Sequence, residues 1–313
     1  MKGKKDLRII FMGTPEFAVT SLKALVENNF NVVAVITAAD KHAGRGMKLT
    51  ESAVKKYAAS VGLTILQPAK LKEEPFLTEL KNLNVDLQIV VAFRMLPEVV
   101  WNMPAMGSIN VHGSLLPQYR GAAPINWAVI NGEKITGVTI FKLKHEIDTG
   151  NILLQKSMFI DETMNAGDVH DKMMYLGADA LIETINGLIN NSINEQPQEN
   201  LIKESKIKHA PKIFTKTCII HWTDSCNNIY NLIRGLSPYP TAFTNLENKK
   251  LKIFSAEKEI VSHNEKLGTY KTDEKTFLKF ACTDGFICCK EIQLEGKKKM
   301  NIEDFLRGYR FNS

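Results

Sequence analysis

Long apolar runs are missing from this chain of 313 residues, although 44% of it is hydrophobic. Stretches such as Leu87 to Phe93 fall far short of the roughly 20 residues a membrane-spanning helix needs. Leu7 to Met12 meets Gly13, Thr14 and Pro15 at once, too soon for the apolar region of a secretory leader. The reading is a cytoplasmic protein. Cysteine is scarce and odd in number: Cys218, Cys226, Cys282, Cys288 and Cys289, with no C-x-x-C pair. That spacing offers neither a zinc site nor a dithiol redox motif, so no metal is expected and the thiols read as reduced and buried. The single Gly13 after the first apolar run lacks the two further glycines that let a backbone approach a pyrophosphate, which disfavours a nicotinamide enzyme. A P-loop and a G-x-S-x-G elbow are also absent.

Charge is present in both signs but unevenly spread. Residues 1–200 hold 20 Lys+Arg against 21 Asp+Glu, so of the totals of 40 and 34 the remaining 20 and 13 fall in residues 201–313. The net charge of +6 therefore belongs to the C-terminal third. A basic module after a nearly neutral one fits contact with a phosphate backbone; a lysine-rich solvated surface fits the same count.

The first two thirds alternate between strand and helix patterns. Arg8 to Met12 reads as a buried strand, followed by a helix with Thr14 as N-cap, Pro15 at its first position and Glu16 matched to its dipole. Asn31 to Thr37, Leu87 to Ala92, Gly107 to His112, Gly137 to Leu143 and Leu153 to Ile160 read as strands. Glu51 to Val61, Pro97 to Trp101, Pro124 to Asn131 and Asp168 to Ile189 read as helices. Such alternation predicts an α/β domain with a doubly wound, mostly parallel sheet. Asn190 to Ser205 is polar and aperiodic, a linker. Beyond it, short alternating runs (Cys218 to Trp222, Lys252 to Ser255, Thr276 to Cys282, Phe286 to Ile292) and one helix, Asn227 to Gly235, predict a small β-barrel of the oligonucleotide-binding type. The expected division is 1–190, a linker 191–207, and 208–313.

In Gly107-Ser-Ile-Asn-Val-His112, strand alternation puts Asn110 and His112 on one face and Ile109 and Val111 on the other. An amide and an imidazole then share the C-terminal end of a strand, where open α/β sheets bind ligands. A hydrogen-bonded pair closing a buried turn has the same spacing. Asp148, ahead of Thr149 and Gly150, is equally a turn residue.

The flanking segments carry more. Phe11-Met-Gly-Thr-Pro-Glu-Phe-Ala18, Ser114-Leu-Leu-Pro117, Gln118-Tyr-Arg-Gly-Ala-Ala-Pro124, Lys144-His-Glu-Ile-Asp-Thr-Gly150 and Arg234-Gly-Leu-Ser-Pro-Tyr-Pro-Thr-Ala242 occur in order. Over essentially its whole length the chain resembles the methionyl-tRNA formyltransferases. The resemblance implies a formyltransferase-type catalytic domain that takes 10-formyltetrahydrofolate, and a C-terminal tRNA-binding barrel. The acceptor it implies is the α-amino group of methionine on initiator methionyl-tRNA, and the expected state is a monomer.

By the same resemblance Asn110, His112 and Asp148 are the catalytic residues, and their types suit an amine attacking a formyl carbon. A neutral amide can donate to a developing oxyanion, an effect on the order of 3 kcal/mol. An imidazole titrates near neutrality and can move the amine's proton to the leaving nitrogen. A carboxylate can orient that imidazole and stabilise its charged form. Ser114, Leu115, Leu116 and Pro117 are expected to line the folate pocket, with Phe93, Arg94 and Leu96 where relatives supply backbone groups to the pterin. Ala92-Phe-Arg-Met-Leu96 departs from the Ala-Tyr-Gly of many family members and looks more like the glycinamide ribonucleotide formyltransferases. The loop Ala38 to Leu49 is implied to reach the tRNA acceptor end, with Arg45 flanked by Lys41 and Lys48; Lys212 and Lys216 are candidates in the basic second domain. Two alternatives remain: a folate-dependent formyltransferase acting on an amino sugar nucleotide or glycinamide ribonucleotide, and a non-catalytic tRNA-binding protein.

Overall fold

A computed structural model of the chain describes residues 3–43, 48–201 and 207–311. Seven strands, β1 (Arg8–Gly13), β2 (Asn31–Ile36), β3 (Ile65–Leu66), β4 (Leu87–Val91), β5 (Ser108–His112), β6 (Ile135–Lys142) and β7 (Ile152–Phe159), form one sheet in the order β7-β6-β5-β4-β1-β2-β3. β1 lies parallel to β2 and to β4, β2 parallel to β3, and β4 parallel to β5. β6 runs antiparallel to β5. The strand order reverses between β1 and β4, which opens a crevice at the carboxyl ends of the central strands. The doubly wound, mostly parallel expectation holds.

The apolar runs of β1 and β4 do not alternate because both faces are covered; every residue of β4 and all but Arg8 of β1 are buried. At the end of β1 the turn is tight. A Cβ on Gly13 would sit 2.6 Å from the Ala18 Cβ and 3.1 Å from the Val91 carbonyl oxygen, so only glycine lets the chain turn there.

Several expectations shift. The first helix is Glu16–Glu27, and its N-cap is Pro15, not Thr14, with no side-chain cap bond. Pro15 has no N–H to leave unsatisfied at the cap, and Glu16 still supplies the acid in the first turn. The next helix, Ala53–Ser60, has a side-chain cap: Ser52 accepts from the Lys55 N–H. The stretch expected as a loop at 38–49 contains a hairpin, Lys41–Ala43 paired antiparallel with Lys48–Thr50. Asp40 anchors its base. Lys55 and Gln67 donate to the Asp40 carboxylate, and the Lys55 bond holds that carboxyl below the ordinary range. A helix at Glu74–Asn82 was not expected.

The chain separates into two compact units, one of residues 1–121, 137–158 and 170–209, the other of 122–136, 159–169 and 210–313. In the second, β8 (Ala242–Leu246), β9 (Lys249–Ile260), β10 (Tyr270–Thr272), β11 (Leu278–Cys282) and β12 (Gly285–Leu294) form an antiparallel sheet in the order β8-β9-β12-β11-β10, with β13 (Met300–Asn301) paired to β12. This is a half-barrel. The helix Cys226–Leu236 is capped by Ser225 and shares a core with Leu251, Phe280, Ile287 and Phe305. Cys218 to Trp222 is not a strand: Thr215–Cys218 is a 3-10 turn and Ile219 makes a lone bridge to Phe243. The alternation seen there is real, with Cys218 and Ile220 buried and Ile219 exposed, but one bridge is too little to extend a sheet. Among the described residues no helix is long and apolar enough to cross a membrane.

All five cysteines are free, and only Cys288 is more than marginally accessible. Burial pushes the Cys226 and Cys289 thiols well above the ordinary thiol range and Cys288 up to about 11. Little thiolate then exists near neutrality. In a dithio-nitrobenzoate titration, the native protein should show slow release from at most one thiol, and the denatured protein five. A second expectation concerns Gly137 in β6, where a Cβ would lie 2.1 Å from the Lys156 carbonyl oxygen and 2.7 Å from Leu115 Cδ2. Gly137→Ala must part the sheet, and urea unfolding should show a loss of about 2 kcal/mol or more.

Candidate active site

The site is built from the carboxyl end of β5. Register pairs Asn110 with Val90 on one side and Phe141 on the other, and His112 with Thr139. Ile109 and Val111 are fully or nearly fully buried. Val111 packs on the helix Ala166–Ile189 at Gly177, where an added Cβ would come within 3.1 Å of it. Asn110 and His112 take the opposite face, as alternation requires. The Asn110 side chain is half-buried and its amide has no hydrogen-bond partner among the described residues.

His112 is buried, and its Nε2 lies 2.9 Å from the Tyr119 carbonyl oxygen. A carbonyl only accepts, so Nε2 carries a hydrogen, and in the neutral ring the lone pair is on Nδ1. Nδ1 faces Asp148 Oδ2 at 3.8 Å, beyond hydrogen-bond length but close enough to stabilise a charged ring. The imidazole is therefore oriented by a backbone carbonyl, with Phe141 edge-on at 6.3 Å between centroids, and the carboxylate acts on it as a charge. Asp148 is itself held: its Oδ2 accepts from the Gly121 N–H at 2.8 Å. Asp148 and Tyr119 both adopt left-handed backbone, at φ 55° and 60°, which costs a non-glycine residue free energy and clusters at functional sites. His145, the other imidazole nearby, is exposed. An open cavity of about 540 Å³ adjoins this loop, walled by Trp101, Arg120, Lys144, His145, Glu146 and Thr149.

The Ser114 to Pro117 turn is fastened from beneath. Thr139 Oγ1 donates to the Ser114 carbonyl and accepts from the Leu116 N–H, and Gln155 donates to the Leu116 carbonyl. Ser114 Oγ donates to the Gln118 carbonyl. Leu116 belongs to a core with Phe141 and Ile152, Pro117 is buried, and Leu115 is partly exposed. Phe93 and Leu96 lean on the core around Ile10, Met12 and Val90. The Arg94 guanidinium donates to the Pro68 and Ala69 carbonyls. Phe93 and Leu96 are thus partly buried, and the exposed Arg94 is tied down by backbone carbonyls.

Lys41, Lys212 and Lys216 are exposed, with the Lys212 ammonium 5.8 Å from the Phe214 ring. Lys48 sits in the hairpin strand opposite Ala43, and Arg45 lies outside the described residues. Sequence reasoning missed the Tyr119 carbonyl, the Thr139 and Gln155 supports, and Gln198, which donates to the Asp148 carbonyl from the stretch read as linker. Tyr119 lies within a quoted motif, but a backbone atom leaves no mark on residue identity. Gln198 had no sequence signal at all.

Comparison with known proteins bears on the whole chain. Residues 7–185 match the family described as Formyl transferase, and residues 212–310 the one described as Formyl transferase, C-terminal domain. The methionyl-tRNA formyltransferase of Parabacteroides distasonis is 55% identical, with 98% of this chain and 97% of that one covered. Its counterpart in Phocaeicola vulgatus is 57% identical at the same coverage, and that of Flavobacterium johnsoniae 50% identical with 98% of both covered. Among solved structures, the sugar 3N-formyltransferase WlaRD, crystallised with 5-N-formyl-THF, is similar at TM-score 0.68 and 21% identity, over 93% of this chain and 99% of that one. HypX from Aquifex aeolicus in complex with tetrahydrofolic acid reaches TM-score 0.63 at 17% identity, over 98% of this chain and 48% of that one. These two show the fold alone. The half or more of positions shared along nearly the full length with enzymes of one name makes the chain a member of the methionyl-tRNA formyltransferase family.

Proposed function

We propose that Asn110, His112 and Asp148 carry the transfer of the formyl group of 10-formyltetrahydrofolate to the α-amino group of methionine on initiator methionyl-tRNA. The observation that carries this reading is the unpartnered Asn110 amide beside a buried His112 whose Nδ1 faces a carboxylate, at the strand end where this fold binds ligands. Relatives sharing half or more of the residues bear the name of that activity. The folate supplies an activated formyl group on a nitrogen that can leave. Everything else falls to the chain's own residues.

The amide of Asn110 donates to the oxygen that gains charge as the amine attacks. Nδ1 of His112, which holds the lone pair when the ring is neutral and Nε2 donates to the Tyr119 carbonyl, takes the proton the attacking nitrogen must lose and returns it to the leaving nitrogen. Asp148 stabilises the ring while it is charged, an effect strengthened by the burial of His112 and the partial burial of Asp148. The backbone of 93–96 and the Ser114 to Pro117 turn hold the pterin side, with Leu115 as the apolar contact. Residues 1–190 form the folate-binding catalytic domain and 208–313 the tRNA-binding domain, joined through 191–207. Lys41, Arg45 and Lys48 meet the acceptor end, and Lys212 and Lys216 meet phosphates. On the same reading the protein is a cytoplasmic monomer, and it needs no metal.

Incubation with 10-formyltetrahydrofolate and charged initiator tRNA should yield formylmethionyl-tRNA, while amino sugar nucleotides should give no product; the reverse pattern would reject the reading. Asn110→Ala should cut kcat roughly 10²- to 10³-fold and His112→Ala roughly 10²- to 10⁴-fold, with tRNA binding retained in filter assays. Binding should also weaken with salt: two neutralised phosphates give a loss of roughly 7- to 12-fold between 50 and 200 mM. Lys212→Ala and Lys216→Ala should each flatten that salt slope by about one. A slope unchanged in both variants would remove them from the interface.

A further inference from the structure

Asp148 sits on a segment whose other residues, Lys144 to Ile147, are exposed, and its own backbone is in the sparsely populated left-handed region. A carboxylate on such a loop stays beside His112 only if its surroundings hold it there. Gln198 does this from within. It is fully buried, on the 3-10 turn Gln198–Leu201. Its Nε2 donates to the Asp148 carbonyl at 2.9 Å and to the Gly150 carbonyl at 2.8 Å. Its Oε1 accepts from Arg120 Nε at 3.0 Å and Nη2 at 2.6 Å.

Every hydrogen-bonding capacity of that amide is used, and the partners fix its orientation. A flipped amide would turn hydrogens toward a guanidinium and oxygen toward two carbonyls. The bonds also close a ring. The Asp148 backbone is tied through Gln198 to Arg120, and the Asp148 carboxylate is tied directly to the N–H of the next residue, Gly121. The two ends of Asp148 are thereby referred to two adjacent residues, the backbone to Arg120 and the carboxylate to Gly121. Gln198 is in turn fixed by reciprocal backbone bonds between Gln196 and Ile152 and by Leu201 packing against Leu116, Phe141 and Ile152.

We infer that Gln198 is a positioning residue for formyl transfer, holding the Asp148 loop so that its carboxylate stands beside His112. This rests on the reading of Asp148 as the partner of His112, and the test separates the two. Gln198→Met, of similar length but without hydrogen bonds, should lower kcat roughly 10- to 100-fold, with KM for folate and for tRNA within about twofold of the wild type. Gln198→Glu keeps both bonds to Arg120, and so the fold, while losing both donations to the loop carbonyls; the same loss of kcat is expected. In an Asp148→Ala background either substitution should add less than about twofold, because the group being positioned is gone. Wild-type turnover in Gln198→Glu, or losses that multiply with Asp148→Ala, would overturn the inference while leaving the role of Asp148 standing. Wild-type turnover in Asp148→Ala alone would overturn both.

Discussion

The antiparallel register of β6 on β5 is the constraint on which the site depends. It sets Thr139 opposite His112 and Phe141 opposite Asn110. A strand's side-chain period is two, so a slip of one residue would send Asn110 and His112 to the face now packed on the long helix. The same register brings the Thr139 hydroxyl under the Ser114 to Pro117 turn and delivers the chain leaving β6 at Lys142 to the loop that carries Asp148. The Ser114 to Pro117 turn, the imidazole and the start of the carboxylate loop thus all follow from a single strand pairing.

Asp148, Tyr119 and the Ser114 to Pro117 turn are each bonded to backbone or to buried side chains. Two of them hold left-handed conformations that a free loop would abandon. Preorganisation of this kind spares the reacting groups a reorganisation at the moment charge develops. Asn110 is the exception that fits the rule, a donor left open where the others are satisfied.

The central strands were legible because burial on both faces writes itself as an unbroken apolar run, as in Leu87–Val91. The shared face of Asn110 and His112 was legible from alternation alone, which does not by itself choose between a turn and a site. Elements of two or three residues were not, since Ile65–Leu66 and the Lys41–Ala43 hairpin strand are too short to show a period. The alternation of Cys218 to Ile220 was read correctly as burial and wrongly as a strand, because period two does not say whether a neighbour is there to pair. Contacts made by backbone atoms, such as the Tyr119 carbonyl on His112, are invisible to any reading of residue types.

The Gln198 turn also bears on where one module ends and the next begins. Composition changes near residue 190, where polar, aperiodic sequence starts, and a chain divided there would carry Asn110, His112 and Asp148. It would not carry the amide that ties the carboxylate loop to Arg120. The heritable unit of this chemistry is therefore longer than its apparent domain. On the role proposed for Gln198, a recombination joining this catalytic half to a foreign partner would keep the full rate only if it brought residues 196–201 along.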